Sequence, residues 1–371
     1  KDIPVPRSTP IDIFRGIAIA LMILVNNQGG PVCYPLLQHA TWNGWTPADL
    51  AFPFFLFICG VTIPYSIGRR LDQQHTRRKL LLTVLRRTSI LFVLGLLING
   101  FPYYELEKIR IMGVLQRVAL CYLFSSLAYL SLRIRGWLVT TVLLLFGYWT
   151  LLTFIPVPGY GAGVLTPEGN LVKYVDSLVL GSHIFMYMGG FEPEGILSTI
   201  PSIATTLIGV MVGQHLRSCN VQSGKASSLL ALGAACIVAG LLWDSWFPIN
   251  KNLWTSSYVL LTCGIAMVLL HTIRYLIEVR GFVRWSRPFM ILGMNSIAVY
   301  VLSELTDIGL SNSTFKLADG RKTSVKTFIY ESFFAHWAGP LNGSLLYAIV
   351  YLIFLLWIAV LLYRRRIFIR I

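Results

Sequence analysis

LAFPFFLFICGVTIPYSIG, Leu50–Gly68, holds no charged side chain and stops at Arg69-Arg70. As a helix rising 1.5 Å per residue it would extend roughly 28 Å, about the thickness of a bilayer's hydrocarbon core. Working outward, the pattern repeats. Apolar runs of similar length fall at 11–28, 80–100, 111–131, 137–155, 197–216, 226–246, 253–272, 288–306 and 342–362. The reading is an all-α integral membrane protein, a polytopic bundle of about ten transmembrane helices.

Composition agrees. Asp, Glu, Lys and Arg make up 13% of the 371 residues, against roughly 25% in a soluble domain. The hydrophobic fraction is 55% and the mean hydropathy +0.67. A net charge of +15 would suggest nucleic acid in a soluble chain, but here the cations sit in alternate loops. Arg69, Arg70, Arg77, Arg78 and Lys79 form one group, Arg133 and Arg135 a second. Arg274, Arg280, Arg284 and Arg287 form a third, and Arg364, Arg365 and Arg366 a fourth. That is the positive-inside pattern, and no nucleic-acid partner is expected. With both termini inside, 22 of the 31 Lys and Arg fall on the inner side and 9 outside. The expected topology is therefore N-in and C-in, in a single domain over 1–371.

The cysteines at 33, 59, 121, 219, 236 and 263 show no CxxC spacing and read mostly as small buried hydrophobes. The polar start KDIPVPRSTP is not expected to be a cleavable signal, and the first apolar segment is expected to act as a signal anchor. No H-E-x-x-H or comparable His/acid spacing occurs, so no metal is expected.

Three outer stretches, 29–49, 156–196 and 307–341, are too long or too decorated to be plain connectors. The first, just before Leu50, contains LQHATWNGWTPADL. Its histidine, His39, is a suitable general base near neutral pH; the alternative is a solvated loop residue. Trp42, Asn43, Trp45 and Asp49 surround it. Tryptophan rings stack on sugar faces and amides or carboxylates bond sugar hydroxyls. The competing reading is an interfacial aromatic belt, with Asp49 in a Thr46–Asp49 capping box.

Asn26 and Asn27 close the first apolar run. Each is a candidate oxyanion donor or an interhelical hydrogen-bond partner. Arg15 pairs with Asp12 at i, i+3, and shares a helix stripe with Asn26 eleven residues later. It suits a ligand with an anionic inner end, or else snorkels. Arg117 and Glu304 lie inside apolar runs as functional candidates or a structural pair. Asp244 and Lys251 flank WFPIN as another candidate pair.

Several motifs in order resemble one family: STPIDIFRGIAIALMILVNN, HATWNGWTPADLAFPFFLFICG, IRIMGVLQR, EPEGILSTIPSI, FPINKNLWTSSYVL and GMNSIAVY. Together they resemble the heparan-α-glucosaminide N-acetyltransferase family of transmembrane acetyltransferases. The resemblance implies acetyl-CoA entering from the cytoplasm and acetyl passed to the amino group of a terminal glucosamine on the far side. The family's essential histidine matches His39, and a polar residue of its first core helix matches Asn26. Arg15 and Arg117 are then candidates to hold acetyl-CoA. Trp42, Asn43, Trp45 and Asp49, with Glu194, Lys251 and Asn252 of the later motifs, are candidates for the saccharide. The resemblance does not extend to the large N-terminal luminal region of the animal enzyme, so a bacterial-type member in an inner membrane is expected, and a homodimer is expected from the family. Two other readings use the same outer mouth: a carrier of amino sugars, and an O-acyltransferase acting on a surface polysaccharide or lipid.

Overall fold

The computed structural model describes residues 9–185, 189–218, 226–317 and 320–369. Cys219 and Ser8, the first residue of the STPID motif, lie outside that set. Helix α1 spans Thr9–Asn26. A short turn at Pro47–Leu50 runs into α2 (Ala51–Ile63), a π-turn at Pro64–Gly68 and α3 (Arg69–Asp72), making one rod from Pro47 to Asp72. Next come α4 (Arg77–Gly100), α5 (Val114–Ser131), α6 (Ile134–Phe154), the short α7 (Leu171–Leu180), α8 (Ile196–Ser218) and α9 (Ala226–Trp243). Then follow α10 (Ser256–Arg274), α11 (Arg287–Met294) and α12 (Ser296–Asn312). A two-stranded antiparallel hairpin, β1 (Thr314–Lys316) and β2 (Lys322–Ser324), leads into α13 (Val325–Tyr330) and α14 (His336–Arg364).

Among the described residues eight helical stretches are long and apolar enough to cross a bilayer. This is an all-α multi-pass membrane protein. The count of ten does not follow from helix length alone. A ninth span requires α11 and α12 to act together, and the apolar stretch Ser228–Trp243 of α9 is shorter than the others.

The expected single span at 288–306 is instead broken, with its halves bent by 74°. Asn295 stands at the break in a non-helical conformation. Its amide donates to the Ile367 carbonyl at 3.1 Å, and its Oδ1 accepts from the Ile369 amide at 2.9 Å. The side chain thus ties the C-terminal tail to the kink, a device that keeps irregular backbone bonded within a membrane protein.

Burial sorts the helices. The Pro47–Asp72 rod is 78% buried over its most apolar window, whereas the α4 and α6 windows are each 28% buried. The central rod packs on α1 and α8, and α4, α6 and much of α14 present aliphatic side chains outward, as lipid-facing helices do. Several crossings depend on glycine, among them α2–α8 and α1–α11. A Cβ at Gly60 would lie 2.0 Å from the Thr206 carbonyl of α8, and one at Gly16 would lie 1.8 Å from the Phe289 carbonyl of α11. Gly16→Ala is therefore expected to destabilise the fold by about 1–3 kcal/mol, read as a lower melting temperature in detergent. Gly147→Ala, where an added Cβ meets nothing within 4 Å, is the matched control and should not lower it.

Candidate active site

The end of α1 and the starts of α2, α5, α8 and α10 share one face of the bundle. Tyr258 of α10 donates to the Asp49 carbonyl at 2.5 Å, and Trp254 donates to Thr205 of α8 at 3.1 Å. Arg117 of α5 reaches the segment entering α8. The loop 29–49 lies over this face and is fastened at several points. The Gly44 amide donates to the Ile249 carbonyl at 2.7 Å. Asn250 donates to the Asn43 Oδ1 at 3.1 Å, and the Trp42 indole donates to the Leu165 carbonyl at 2.7 Å. The Trp42 ring also meets Phe191 edge-on at 5.3 Å. Of the two tryptophans, Trp42 is therefore packed into the loop's foundation, while Trp45 is 39% exposed.

Asp49 organises the centre. It is buried and completes the capping box with Thr46, accepting the Thr46 amide on Oδ2 at 3.0 Å. The same oxygen accepts the Ala40 amide at 3.1 Å. Oδ1 faces Nδ1 of His39 at 2.7 Å. The carboxylate accepts, so Nδ1 of His39 carries the proton, and Nε2 is left with a lone pair on a side chain that is 42% exposed. A helix cap and a histidine-orienting carboxylate are thus one residue. The capping-box reading of Asp49 is the one the structure shows, and the same carboxylate meets His39.

Lys251 closes the other side. Its Nζ lies 3.5 Å from Asp49 Oδ1 and 3.0 and 3.2 Å from the two ring nitrogens of His39. The expected pairing with Asp244 does not form; Asp244 accepts the Ile249 amide at 2.6 Å. Burial pushes the Lys251 ammonium below its usual range, against the pull of Asp49 and Glu194.

Beyond Lys251 lies a buried cluster. Arg110 makes a fork to Glu192, Nε at 3.0 Å and Nη2 at 2.5 Å, and Nη2 also meets Glu194 at 2.5 Å. Burial raises the Glu192 carboxyl despite Arg110. Burial acts the same way on Glu194, but Arg110, Arg117 and Lys251 outweigh it and hold that carboxyl low. Arg117 is fully buried. Its Nη2 donates to the Pro193 carbonyl at 2.8 Å and to Ser198, and its guanidinium lies over Trp254 at 5.1 Å. It does not pair with Glu304, which instead neighbours Asn26 and Tyr300.

The remaining predicted residues divide. Asn26 is exposed at the end of α1, whereas Asn27 is buried and bonds Ser303 of α12 at 3.2 Å, an interhelical tie. Asn252 is nearly buried beside Lys251 in the sequence. Arg15 lies toward the opposite end of α1, with Asp12 and the Gly293 carbonyl as partners. Arg15 and Arg117 are thus not brought together; Arg117 belongs to the His39 face. Arg110, Glu192 and Asn250 escaped sequence reasoning. A signal existed: Arg110 opens the run that ends in Arg117, and Glu192 stands in the same EPE triplet as Glu194.

Comparison with known proteins bears on this face. A family model described as "Heparan-alpha-glucosaminide N-acetyltransferase, catalytic" matches residues 7–241, which include His39, Asp49, Arg110, Arg117 and Glu194. Two curated relatives carry the name heparan-alpha-glucosaminide N-acetyltransferase. The one from Homo sapiens is 34% identical over 360 residues, covering 81% of this chain and 53% of the relative. The one from Mus musculus is 33% identical over 357 residues, covering 80% and 53%. The chain spans about half the length of the curated relatives it matches.

Proposed function

Because the chain belongs to the heparan-alpha-glucosaminide N-acetyltransferase family, we propose that it carries acetyl from acetyl-CoA across the membrane to the amino group of a terminal glucosamine or related amino sugar. The observation that carries this reading is the Asp49–His39 pair at 2.7 Å, which leaves the ring's lone pair on Nε2 of a side chain that is 42% exposed. In the step proposed, the uncharged amine attacks the thioester carbon. A C–N bond forms, the C–S bond breaks, and the sulfur departs as thiolate. The amine's proton goes to His39 Nε2. Asn26, exposed on the same face, is the proposed donor to the developing oxyanion.

The donor's phosphates suit cations at the far end of the bundle, where Arg15 and the basic loops lie. Arg117, on the His39 face, is better placed toward the thioester end. For the acceptor, Trp45 offers an exposed ring, and the Asn43 bond to Asn250 uses only Oδ1, leaving its amide NH₂ without a hydrogen-bond partner among the described residues. Asn252 is a further candidate. Asp49 and Lys251 are engaged with each other and with His39, and Glu194 acts on Lys251, so their proposed part is to shape the base. The proposed topology keeps ten spans with both termini inside, counting α11–α12 and α9, in a bacterial inner membrane and as a homodimer.

The test uses purified protein in proteoliposomes, with radiolabelled acetyl-CoA on the basic-loop side and glucosamine on the other. Label on glucosamine is the expected result. Glucosamine uptake without acetylation would replace the enzyme by a carrier, and label appearing only on hydroxyl acceptors would point to an O-acyltransferase.

A further inference from the structure

Lys251 takes no proton in the step just described, yet its ammonium lies within hydrogen-bond distance of the His39 ring. Its Nζ is almost equidistant from Nδ1 and Nε2, at 3.0 and 3.2 Å. The lone-pair directions of the two ring nitrogens diverge, so one ammonium cannot be in line with both, and Nδ1 already gives its proton to Asp49. Lys251 therefore acts on the ring as a close cation within donor reach of the Nε2 lone pair, and Asp49 Oδ1 at 3.5 Å anchors it there.

The surrounding groups fix the sign. Asp49, from the turn into α2, faces both His39 and Lys251. Glu194, from the segment entering α8, and Arg117, from α5, act on Lys251 from behind, and Arg110 is paired with Glu194. Tyr258 of α10 donates to the Asp49 backbone and so offers the ring no partner. Asp49 alone would favour a positively charged imidazolium. An ammonium about 3 Å away opposes it.

We propose that Lys251 is a positioning residue whose ammonium keeps the His39 ring uncharged, so that Nε2 stays ready to take the amine's proton and releases it quickly afterwards. This rests on the reading of His39 as the base. The proton balance closes: Nε2 takes one proton from the amine and returns it to the departing thiolate or to water, and Lys251 keeps its own throughout.

The measurement is the pH dependence of diethylpyrocarbonate modification at His39, followed by peptide mass spectrometry on the full-length protein in detergent, with no substrate present. In Lys251→Met the pH midpoint of modification should move up by at least about one unit, the effect of a unit charge at this distance near water. Lys251→Arg, which keeps the charge, should return it toward wild type. If the methionine variant fails to fold, Lys251→Gln, which leaves Asp49 a donor without the charge, takes its place. The acid limb of acetyl transfer should move by the same amount. An unmoved modification midpoint in the uncharged variants would overturn the proposal. A shifted midpoint alongside full activity in His39→Ala would support the effect of Lys251 on the ring while removing His39 as the base.

Discussion

His39→Ala is expected to reduce acetyl transfer by about 10²–10⁴ in turnover, the usual cost of removing a general base, with little change in stability. The second half follows from the surroundings. The imidazole is 42% exposed, so its removal opens no core cavity. Asp49 keeps the amides of Ala40 and Thr46 on Oδ2 and Lys251 near Oδ1, so its buried carboxylate is not stranded. The loop keeps its ties through Asn43, Gly44 and Trp42. The variant should melt within about 0.5 kcal/mol of wild type, as exposed substitutions usually do. Its rate then separates two chemistries. A residual rate at the stated level fits direct transfer, because positioning and oxyanion support remain. Complete loss, with labelled acetyl trapped on wild-type His39 after acid quench, fits an acetyl-imidazole intermediate. Unchanged turnover in a folded variant would remove His39 from the chemistry.

Asp49→Asn sharpens the same result. An amide in place of the carboxylate accepts on one atom only, so it cannot serve both the loop amides and Nδ1 of His39. The ring is then free to choose the wrong tautomer, with a proton on Nε2. A large fall in turnover with near-native Asn43 and Trp42 anchoring would show that orientation of the ring, and not its mere presence, sets the rate.

How much of this was legible beforehand depended on the range of the interactions. The membrane class follows from runs such as Leu50–Gly68, because crossing a bilayer is a local demand on about 20 consecutive residues. The Thr46–Asp49 capping box was equally readable, since its bonds close within three positions. The break at Asn295 was not. Its backbone is repaired by Ile367 and Ile369, more than 70 positions later, and no window of sequence holds both halves. The same applies to Lys251. Its neighbour Asp244 was the plausible local partner, but the loop from Asn43 to Gly44 docks on Ile249 and Asn250 and delivers Asp49 instead. Trp42 and Trp45 look alike in sequence, and only the distant Leu165 and Phe191 decide that the first is foundation and the second is free.

Arg110→Leu is expected to be the most destabilising single change near the site, by about 3–5 kcal/mol, because it removes one partner of a buried ionic cluster and leaves the others in place. The Glu192 side chain has no exposure and takes both arms of the Arg110 fork. Its further acceptor bonds come from the amides of Phe185 and Glu194, which carry no full charge to balance it. Arg117 and Lys251 remain near Glu194 but do not reach Glu192 with a hydrogen bond among the described residues. The sign with pH follows. Burial already raises the Glu192 carboxyl, and loss of Arg110 raises it further above its unfolded value. Such a group costs little where it is protonated and progressively more as pH climbs through the raised value. The melting deficit of Arg110→Leu should therefore be smallest near pH 5 and widen toward pH 8. Arg110→Lys, which restores the charge but not the fork, should recover part of the loss. A deficit equal at both pH values would assign the effect to lost packing over the Phe185 ring, which the guanidinium covers at 4.5 Å, and not to the stranded carboxylate.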